Sequence, residues 1–259
     1  MKTKHVIAGW IAALLTLTPL AAGAADIHVM SSAGFKAAYL ELVQKFEQQT
    51  SHHVLNAWGP SMGATPQAVP NRLARGEPAD VVIGVREALD KLAAEGKVDA
   101  KSETDLAKSL IGAVVRAGAA HPDISSVDAF KRALENAKSI AYSDSASGVY
   151  IETVIYPKLG VSDAVKAKSR MIPADPVGEV VARGDAELGF QQLSELKPVK
   201  GIDLLGPIPV EVQKVTTFTA ALATSAKERA AGEALIQFLA APEAVDAIRR
   251  SGMEPVKGE

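Results

Sequence analysis

Short apolar runs alternate with helical periodicity along most of this chain. Residues 27–30 form a compact apolar run, and residues 35–49 follow it with apolar side chains at three- and four-residue intervals. Such spacing places Phe35, Tyr39 and Phe46 on one face of a helix, so the first unit is predicted to be strand, turn and helix. The same order then returns several times. Further strands are predicted over 53–57, 80–84, 139–142, 168–172, 188–192 and 202–205.

Two longer apolar segments, 109–116 and 215–223, interrupt this alternation and are predicted to be strands that cross between two lobes. Because strands that alternate with helices form right-handed βαβ units, each series of elements is predicted to build a parallel-rich sheet. The helical tail that follows the second crossing is expected to pack back on the first lobe. The predicted fold class is therefore α/β with a cleft between two lobes, 26–109 plus 215–259 forming lobe 1 and 110–214 forming lobe 2.

Residues 1–24 have the pattern of an export signal. Lys2 and Lys4 precede an apolar stretch over 6–20, and small residues fill 21–25, where a signal peptidase would cut. A membrane anchor is the alternative, but this stretch is shorter than the ~20 apolar residues that a membrane span needs. We therefore expect export to the periplasm and no membrane insertion after the signal is removed.

Composition narrows the function further. The chain has 28 Lys and Arg against 30 Asp and Glu, a net charge of -2, so it has no cationic excess for nucleic acid and we expect no nucleic-acid partner. The absence of cysteine excludes thiol nucleophiles, disulfides and Cys-ligated zinc. The five histidines show no metal-ligand spacing. We expect neither a metal nor another cofactor.

Four turns rich in Ser, Gly or Pro fall where predicted strands end. They contain Ser32, residues 61–63, residues 143–148 and Val177, and the second is predicted to open a helix that runs to about residue 75. In an open parallel sheet, ligands bind outside the carboxyl ends of the strands, where helix N-termini expose N–H groups. These serines are N-caps in the alternative interpretation. Arg86, after the third strand, is either a bidentate carboxylate clamp or an ordinary loop arginine.

Two motifs carry a family resemblance, VMSS at 29–32 and LARGEPADVVI at 73–83. They resemble the periplasmic molybdate-binding-protein family of solute-binding proteins, and the likeness extends over essentially the whole chain after the signal. It implies a two-lobed periplasmic binding protein fold of type II-like architecture, a monomer, a small-molecule anion as ligand and, for a transport receptor, an inner-membrane importer as partner. The substrate-binding candidates are Ser32, Ser61, Met62, Gly63, Arg86, Ser145, Ser147, Gly148, Val177 and Gln192.

Two departures point to one branch of that family. Gln192 stands where the family has a tyrosine, and the turn over 59–66 is longer and less serine-rich than a molybdate site. The segments YSDSASGVY at 142–150 and GFQQLSE at 189–195 are similar to the branch that includes periplasmic aconitate isomerase. That resemblance implies interconversion of trans- and cis-aconitate.

An allylic proton shift of this kind needs no metal, only an acid–base group and hydrogen-bond donors where negative charge develops. Tyr142 and Asp144 are the predicted catalytic residues, with Ser145 or Ser147 as donors. In the alternative interpretation Asp144 caps a helix and Tyr142 closes a lobe interface. The alternative function is a transport receptor that binds an oxyanion or a di- or tricarboxylate without turnover.

Overall fold

The structure is a computed structural model that describes residues 23–173 and 175–256. Residues 1–22, which hold nearly all of the predicted export signal, lie outside the described residues, as does Ala174 in the fourth predicted turn. Within the described ranges, no helix is both long enough and apolar enough to cross a membrane.

The first lobe is built on a six-stranded sheet in which the strands lie in the order β11-β4-β10-β3-β1-β2. Its strands are β1 Asp26–Ser31, β2 His53–Trp58, β3 Val81–Val85, β4 Thr104–Ser109, β10 Thr216–Leu222 and β11 Glu254–Pro255. Its helices are α1 Lys36–Gln49, α2 Val69–Ala74, α3 Arg86–Ala94, α10 Arg229–Leu239 and α11 Val245–Arg250, with short 3-10 turns at Ala33–Phe35, Ala100–Ser102 and Pro242–Ala244.

The second lobe is built on a five-stranded sheet in which the strands lie in the order β7-β6-β8-β5-β9. Its strands are β5 Ile111–Arg116, β6 Ile140–Ser143, β7 Ser169–Ile172, β8 Leu188–Gln192 and β9 Ile202–Pro207. Its helices are α4 Val127–Asn136, α5 Ala146–Tyr150, α6 Tyr156–Leu159, α7 Ser162–Lys166, α8 Val177–Ala182 and α9 Leu193–Leu196, with a π-helical turn at Ile151–Ile155 and a 3-10 turn at Val210–Val212.

The two predicted crossover strands differ from the structure in one respect. Neither runs through both lobes: β4 and β5 are separate strands on either side of Leu110, and residues 208–215 separate β9 from β10. A strand that enters a sheet directly from the other lobe needs no helical crossover and can pair antiparallel. Accordingly β5 and β10 pair antiparallel with both of their neighbours. Both sheets are therefore mixed, whereas the sequence predicts sheets rich in parallel pairs.

Each sheet carries its own apolar core. Phe35 stacks on Phe218 in the first lobe, with 6.5 Å between ring centroids, and thereby ties the N-terminal segment to the strand that returns from the second lobe. Phe130 and Phe190 meet edge to face in the second lobe at 5.7 Å. We propose the lobe boundaries that the sequence predicts, because the strands before residue 110 and after residue 215 lie in one sheet.

The helix predicted after the second turn begins later than expected. Residues 59–68 form an irregular loop, and α2 starts only at Val69. Gly63 has a φ of 111°, outside the helical region, and Pro66 further disfavours an early helix. The loop is held instead by side chains of α2 and its C-cap, because Arg72 Nε donates to the Gln67 carbonyl and Arg75 Nη2 donates to the Pro66 carbonyl.

Candidate functional site

A cavity of about 250 Å³ lies between the lobes at the carboxyl ends of several strands. This size is near the lower end of the ~300–1,000 Å³ of small-molecule pockets, which favours a ligand of metabolite size. Both lobes contribute to its walls, through the segments that follow β1, β2, β6, β7 and β8. The lining residues are Ser32, Ala33, Lys36, Trp58, Gly59, Pro60, Gln67, Ser143, Asp144, Ser145, Asp175, Pro176, Gln191 and Glu195.

The first-lobe wall offers a hydroxyl and a cation. Ser32 is buried, and its Oγ accepts a 3.4 Å hydrogen bond from Gly34 N–H at the start of the 3-10 turn before α1. Lys36 begins α1, with its Nζ 5.0 Å from the centroid of the Trp58 ring. The Trp58 ring is in turn fixed edge to face by Tyr39 at 5.5 Å. Lys36 is the one cation among the described residues of the cavity wall, so it is placed to attract an anion.

The turn after β6 forms part of the opposite wall. Ser143, Asp144 and Ser145 line the cavity, and the Ser143 and Ser147 hydroxyls lie 3.1 Å apart behind it. Gly148 is required here, because a Cβ at this position would lie 1.7 Å from the Ser143 carbonyl oxygen. The close approach lets α5 begin directly against the end of the strand and holds the three lining residues in one turn.

A hydrogen-bonded chain joins β8, α8 and α9 beside this turn. Gln191 Oε1 accepts a 2.9 Å bond from the Val177 N–H, while Gln191 Nε2 donates a 2.9 Å bond to Glu195 Oε1. Burial raises the pKa of Glu195 to about 7, the hydrogen bond from Gln191 opposes this rise, and the charge of Asp144 adds to it. The cavity therefore contains a carboxyl group that can gain or lose a proton near neutral pH.

The lobes touch at the mouth of the cavity. Ser194 Oγ, on α9, donates a 2.6 Å hydrogen bond to the Gly34 carbonyl of the first lobe. Gly63 lies so close to the second lobe that a Cβ there would be 3.0 Å from the Asp144 carbonyl oxygen. Because these contacts join separate sheets, they can form or break when the lobes move relative to each other.

This two-lobed arrangement matches known proteins. The sequence profile of the bacterial extracellular solute-binding proteins matches residues 27–254. The chain belongs to this family. Over 250 residues it is 50% identical to the aconitate isomerase of a Pseudomonas species, covering 96% of this chain and 95% of that protein. These matches confirm the family and branch that the sequence motifs resemble.

Two further matches concern molybdate-binding members of the family. The molybdate-binding protein of Azotobacter vinelandii is 28% identical over 252 residues, covering 91% of this chain and 92% of that protein. The solved structure of the periplasmic molybdate-binding protein of that organism superposes with a TM-score of 0.68 at 22% identity, covering 90% of this chain and all of that one. At this identity the superposition supports the fold alone, and it confirms the two-lobed binding-protein class.

Only some of the predicted residues line the cavity of this family member. Ser32, Asp144 and Ser145 do so. Ser61 has a different task, because its buried Oγ accepts a 3.1 Å bond from the Val85 N–H. Met62 packs against the first-lobe core. Ser147, Gly148 and Val177 lie immediately behind the wall, and Gly63 contacts Asp144 at its edge.

Arg86 and Tyr142 do not occupy the positions that the sequence suggested. Arg86 donates to Asp105 through Nε and Nη2 and to Glu103 through Nη1, so its guanidinium is held by lobe 1 carboxylates and is not a free carboxylate clamp. Tyr142 is buried in the second-lobe core, where its ring meets Tyr156 edge to face at 6.3 Å. Burial, with the neighbouring Glu152, raises the pKa of Tyr142 well above its usual value. Neither the predicted substrate-binding Arg86 nor the predicted catalytic Tyr142 is among the residues that line the cavity.

Gln191, and not the predicted Gln192, lines the cavity. Gln192 Nε2 donates to Thr216 Oγ1 at 2.9 Å, on the strand that returns to the first lobe, whereas Gln191 lines the cavity. Successive side chains of a strand point to opposite faces, so a shift of one residue moves a side chain from the cavity to the hinge. Glu195, four positions after Gln191 in the first turn of α9, was not predicted as a site residue.

The described residues contain no group of three or more His, Cys, Asp or Glu side chains that could hold a metal ion. The cavity wall instead carries three carboxylates, one ammonium group and several hydroxyls. Such a set can bind an anion through Lys36 and the serines, and it can transfer a proton through a carboxyl group.

Proposed function

We propose that this chain is an aconitate isomerase, which interconverts trans- and cis-aconitate by an allylic proton shift. The observation that carries the proposal is the 50% identity to the Pseudomonas enzyme over 96% of the chain. The coverage matters because it includes both lobes and all the segments that line the cavity. A fold match by itself would not assign an activity, since one scaffold serves many functions.

The cavity suits a small polycarboxylate. Lys36 supplies a positive charge beside the aromatic ring of Trp58, and Ser32 and Ser145 supply hydroxyl donors from opposite lobes. We propose that these three residues bind substrate carboxylates, while Ser61, Ser147, Gly148 and Val177 maintain the shape of the wall. Because Ser32 and Lys36 belong to one lobe and Ser145 to the other, the substrate would draw the lobes together.

The reaction needs one group that removes a proton from the substrate methylene carbon. The C–H bonding electrons then spread over the allyl system and into a carboxylate, and a proton returns at the other end of the system. Hydroxyl and N–H donors stabilise the charge that develops on the carboxylate oxygens. Asp144, Asp175 and Glu195 are the cavity carboxylates available for this proton transfer.

Location and partners belong to the same proposal. Export to the periplasm is supported by the pattern of residues 1–24 and by membership of an extracellular solute-binding family. We propose a monomer in which each chain carries a complete cavity built from its own two lobes. No importer is required by the isomerase reaction.

A transport receptor is the second candidate, favoured by the 28% identity to a molybdate-binding protein. One experiment separates the two. The purified chain is incubated with trans-aconitate, and the cis isomer is measured by chromatography against a sample without protein. Formation of cis-aconitate in proportion to protein concentration supports the isomerase. Tight binding of trans-aconitate or molybdate by calorimetry, with no cis isomer at high protein concentration, supports the receptor.

A further inference from the structure

We propose that Glu195 is the catalytic residue that carries the proton between the two ends of the allyl system, and that Gln191 is the residue that positions it. The inference deepens the proposed isomerase function and depends on it. It replaces Tyr142, which lies in the core, and gives Asp144 an electrostatic role.

The position of Glu195 carries the proposal. It lies in the first turn of α9, directly after the carboxyl end of β8, and its side chain faces the cavity between the lobes. It also borders an adjoining cavity of about 570 Å³, which extends between the lobes along α1 and α9. A residue shared by both spaces can reach a ligand in the first and exchange its proton through the second.

Gln191 fixes the orientation of this carboxyl group. Its amide is held at one end by the Val177 N–H and at the other end donates to Glu195 Oε1. One carboxylate oxygen is thus fixed, which restricts the rotation of the side chain. An oriented base loses less entropy when it approaches a carbon-bound proton than a freely rotating one.

The charges around Glu195 explain why it can act near neutral pH. The charged side chains that share its two cavities are Lys36, Asp144, Asp175, Glu179 and Lys200. Burial and the charge of Asp144 favour the protonated form of Glu195, and its pKa of about 7 makes the carboxylate a stronger base than an exposed glutamate. Asp175 is exposed, whereas Glu195 is half-buried.

The proton balance is simple. The Glu195 carboxylate takes a proton from the methylene carbon, which breaks that C–H bond and makes the carboxyl group neutral. The freed electron pair moves the double bond by one position, and the neutral Glu195 returns a proton to the other terminal carbon. No oxidant, reductant or cofactor is consumed, and the enzyme ends in its starting state.

The first test compares Glu195→Gln with Glu179→Gln, a matched exchange at an exposed residue of the adjoining cavity. The Glu195 variant should lose ~10²–10⁴-fold in turnover of trans-aconitate, as expected for a lost acid–base group. By calorimetry at pH 8 it should still bind trans-aconitate at least as tightly as the wild type, because a neutral amide no longer repels the anion. The Glu179 variant should keep wild-type turnover. Turnover by Glu195→Gln within about threefold of wild type would overturn the assignment.

A second test uses the wild-type chain and needs no variant to fold. The kcat/KM for trans-aconitate should rise with pH through about pH 7, because only the carboxylate form removes a proton. The affinity for trans-aconitate should fall as pH rises, because a protonated Glu195 does not repel the bound anion and a carboxylate does. Affinity that stays constant between about pH 5.5 and pH 8.5 would contradict the proposal.

The experiments distinguish a failure of the proposed isomerase function from a failure of the role assigned to Glu195. A wild-type chain that forms no cis-aconitate refutes the proposed function. An active wild type together with a fully active Glu195→Gln refutes only the role of Glu195. Circular dichroism of each variant shows whether a loss of turnover reflects chemistry or unfolding.

Discussion

Asp80 is buried in the first lobe and Glu195 is half-buried in the cleft, and the protein treats the two carboxyl groups in opposite ways. Asp80 lies in the first lobe, and its oxygens accept backbone N–H bonds from Lys227 at 2.7 Å, His28 at 2.8 Å and Glu228 at 2.9 Å. Burial alone would raise the pKa of Asp80, yet these donors outweigh it and the net shift is downward. Asp80 is thereby held as an anion at neutral pH.

Glu195 receives far less compensation. Its described donors are the Gln191 side-chain amide and the Gln192 backbone N–H, and Asp144 adds a repulsive charge. At Asp80 three backbone donors outweigh the effect of burial, whereas the donors at Glu195 do not outweigh burial and the Asp144 charge. The balance between N–H donors and desolvation therefore distinguishes a group that joins β1, β3 and α10 from one that can change its protonation state.

The largest stability effect should come from Asp80→Asn. The amide cannot accept from three donors as the carboxylate does, and the buried N–H groups lose charge-assisted bonds, so we expect a loss of ~3–5 kcal/mol in the free energy of unfolding. Urea unfolding measures it. Asp163→Asn, an exposed helical site, is the control and should change stability by less than about 0.5 kcal/mol. A loss at Asp80 as small as the control would mean that the three bonds do not hold the lobe.

The pH dependence of stability should have opposite signs for the two groups. The folded pKa of Glu195, about 7, exceeds its unfolded value, so the folded state binds more protons and stability falls as pH rises from about 4.5 to 7, by roughly 1–3 kcal/mol. Asp80 has a lowered folded pKa, so its contribution is lost only as pH falls below about 4. Urea unfolding of wild type and Glu195→Gln at pH 5 and 8 checks this. If the free energy of unfolding changes equally between pH 5 and pH 8 in the wild type and in Glu195→Gln, the expected contribution of Glu195 is refuted.

A smaller effect is expected from Asp144→Asn. Removing this charge lowers the pKa of Glu195, so the acid side of the kcat/KM profile should shift to lower pH, by up to about one unit, with turnover at pH 8 largely kept. Profiles of trans-aconitate turnover measure the shift. A loss of ~10²-fold or more at every pH would instead make Asp144 the proton carrier.

The smallest expected effect concerns a neutral acceptor, Ser61. Its hydroxyl accepts one bond from the Val85 N–H, so Ser61→Ala should cost about 1–2 kcal/mol in stability, less than Asp80→Asn. Because Ser61 does not line the cavity, the affinity for trans-aconitate should remain within about twofold of wild type. Calorimetry and urea unfolding together decide the point, and a large loss of affinity with unchanged stability would restore Ser61 as a ligand residue.

Most of the fold could be predicted from the sequence because the spacing of apolar residues follows directly from which side chains are buried. The strand over 188–192 and the return at residue 215 are predicted within a residue or two of the structure. The predictions fail where a residue far away in the chain determines the contacts of a side chain. Arg86 is held by Asp105, nineteen positions later on β4, which β10 separates from β3 in the sheet, and no local pattern reveals that pairing.

The site was harder to predict than the fold because it depends on side-chain direction. Ser32, Asp144 and Ser145 were found because turns at strand ends are visible in the sequence. Choosing between Gln191 and Gln192 requires the phase of β8, and because the two residues are identical, alternation gives no guide. Glu195 appears ordinary in the sequence, and its raised pKa follows from burial and the charge of Asp144 in the folded cleft.

The irregular loop over 59–68 has a consequence for how this scaffold can diversify. Arg72 and Arg75 hold it through hydrogen bonds that lie within the first lobe, and both also bind Glu77. Trp58, Gly59, Pro60 and Gln67 meanwhile present their surfaces to the ligand space. Exchanges at Pro60 and Gln67 can therefore alter which solute is accepted while Ser61 and Met62 keep their contacts with the first lobe. Loop grafting between family members is accordingly a practical route to new specificities on an unchanged frame.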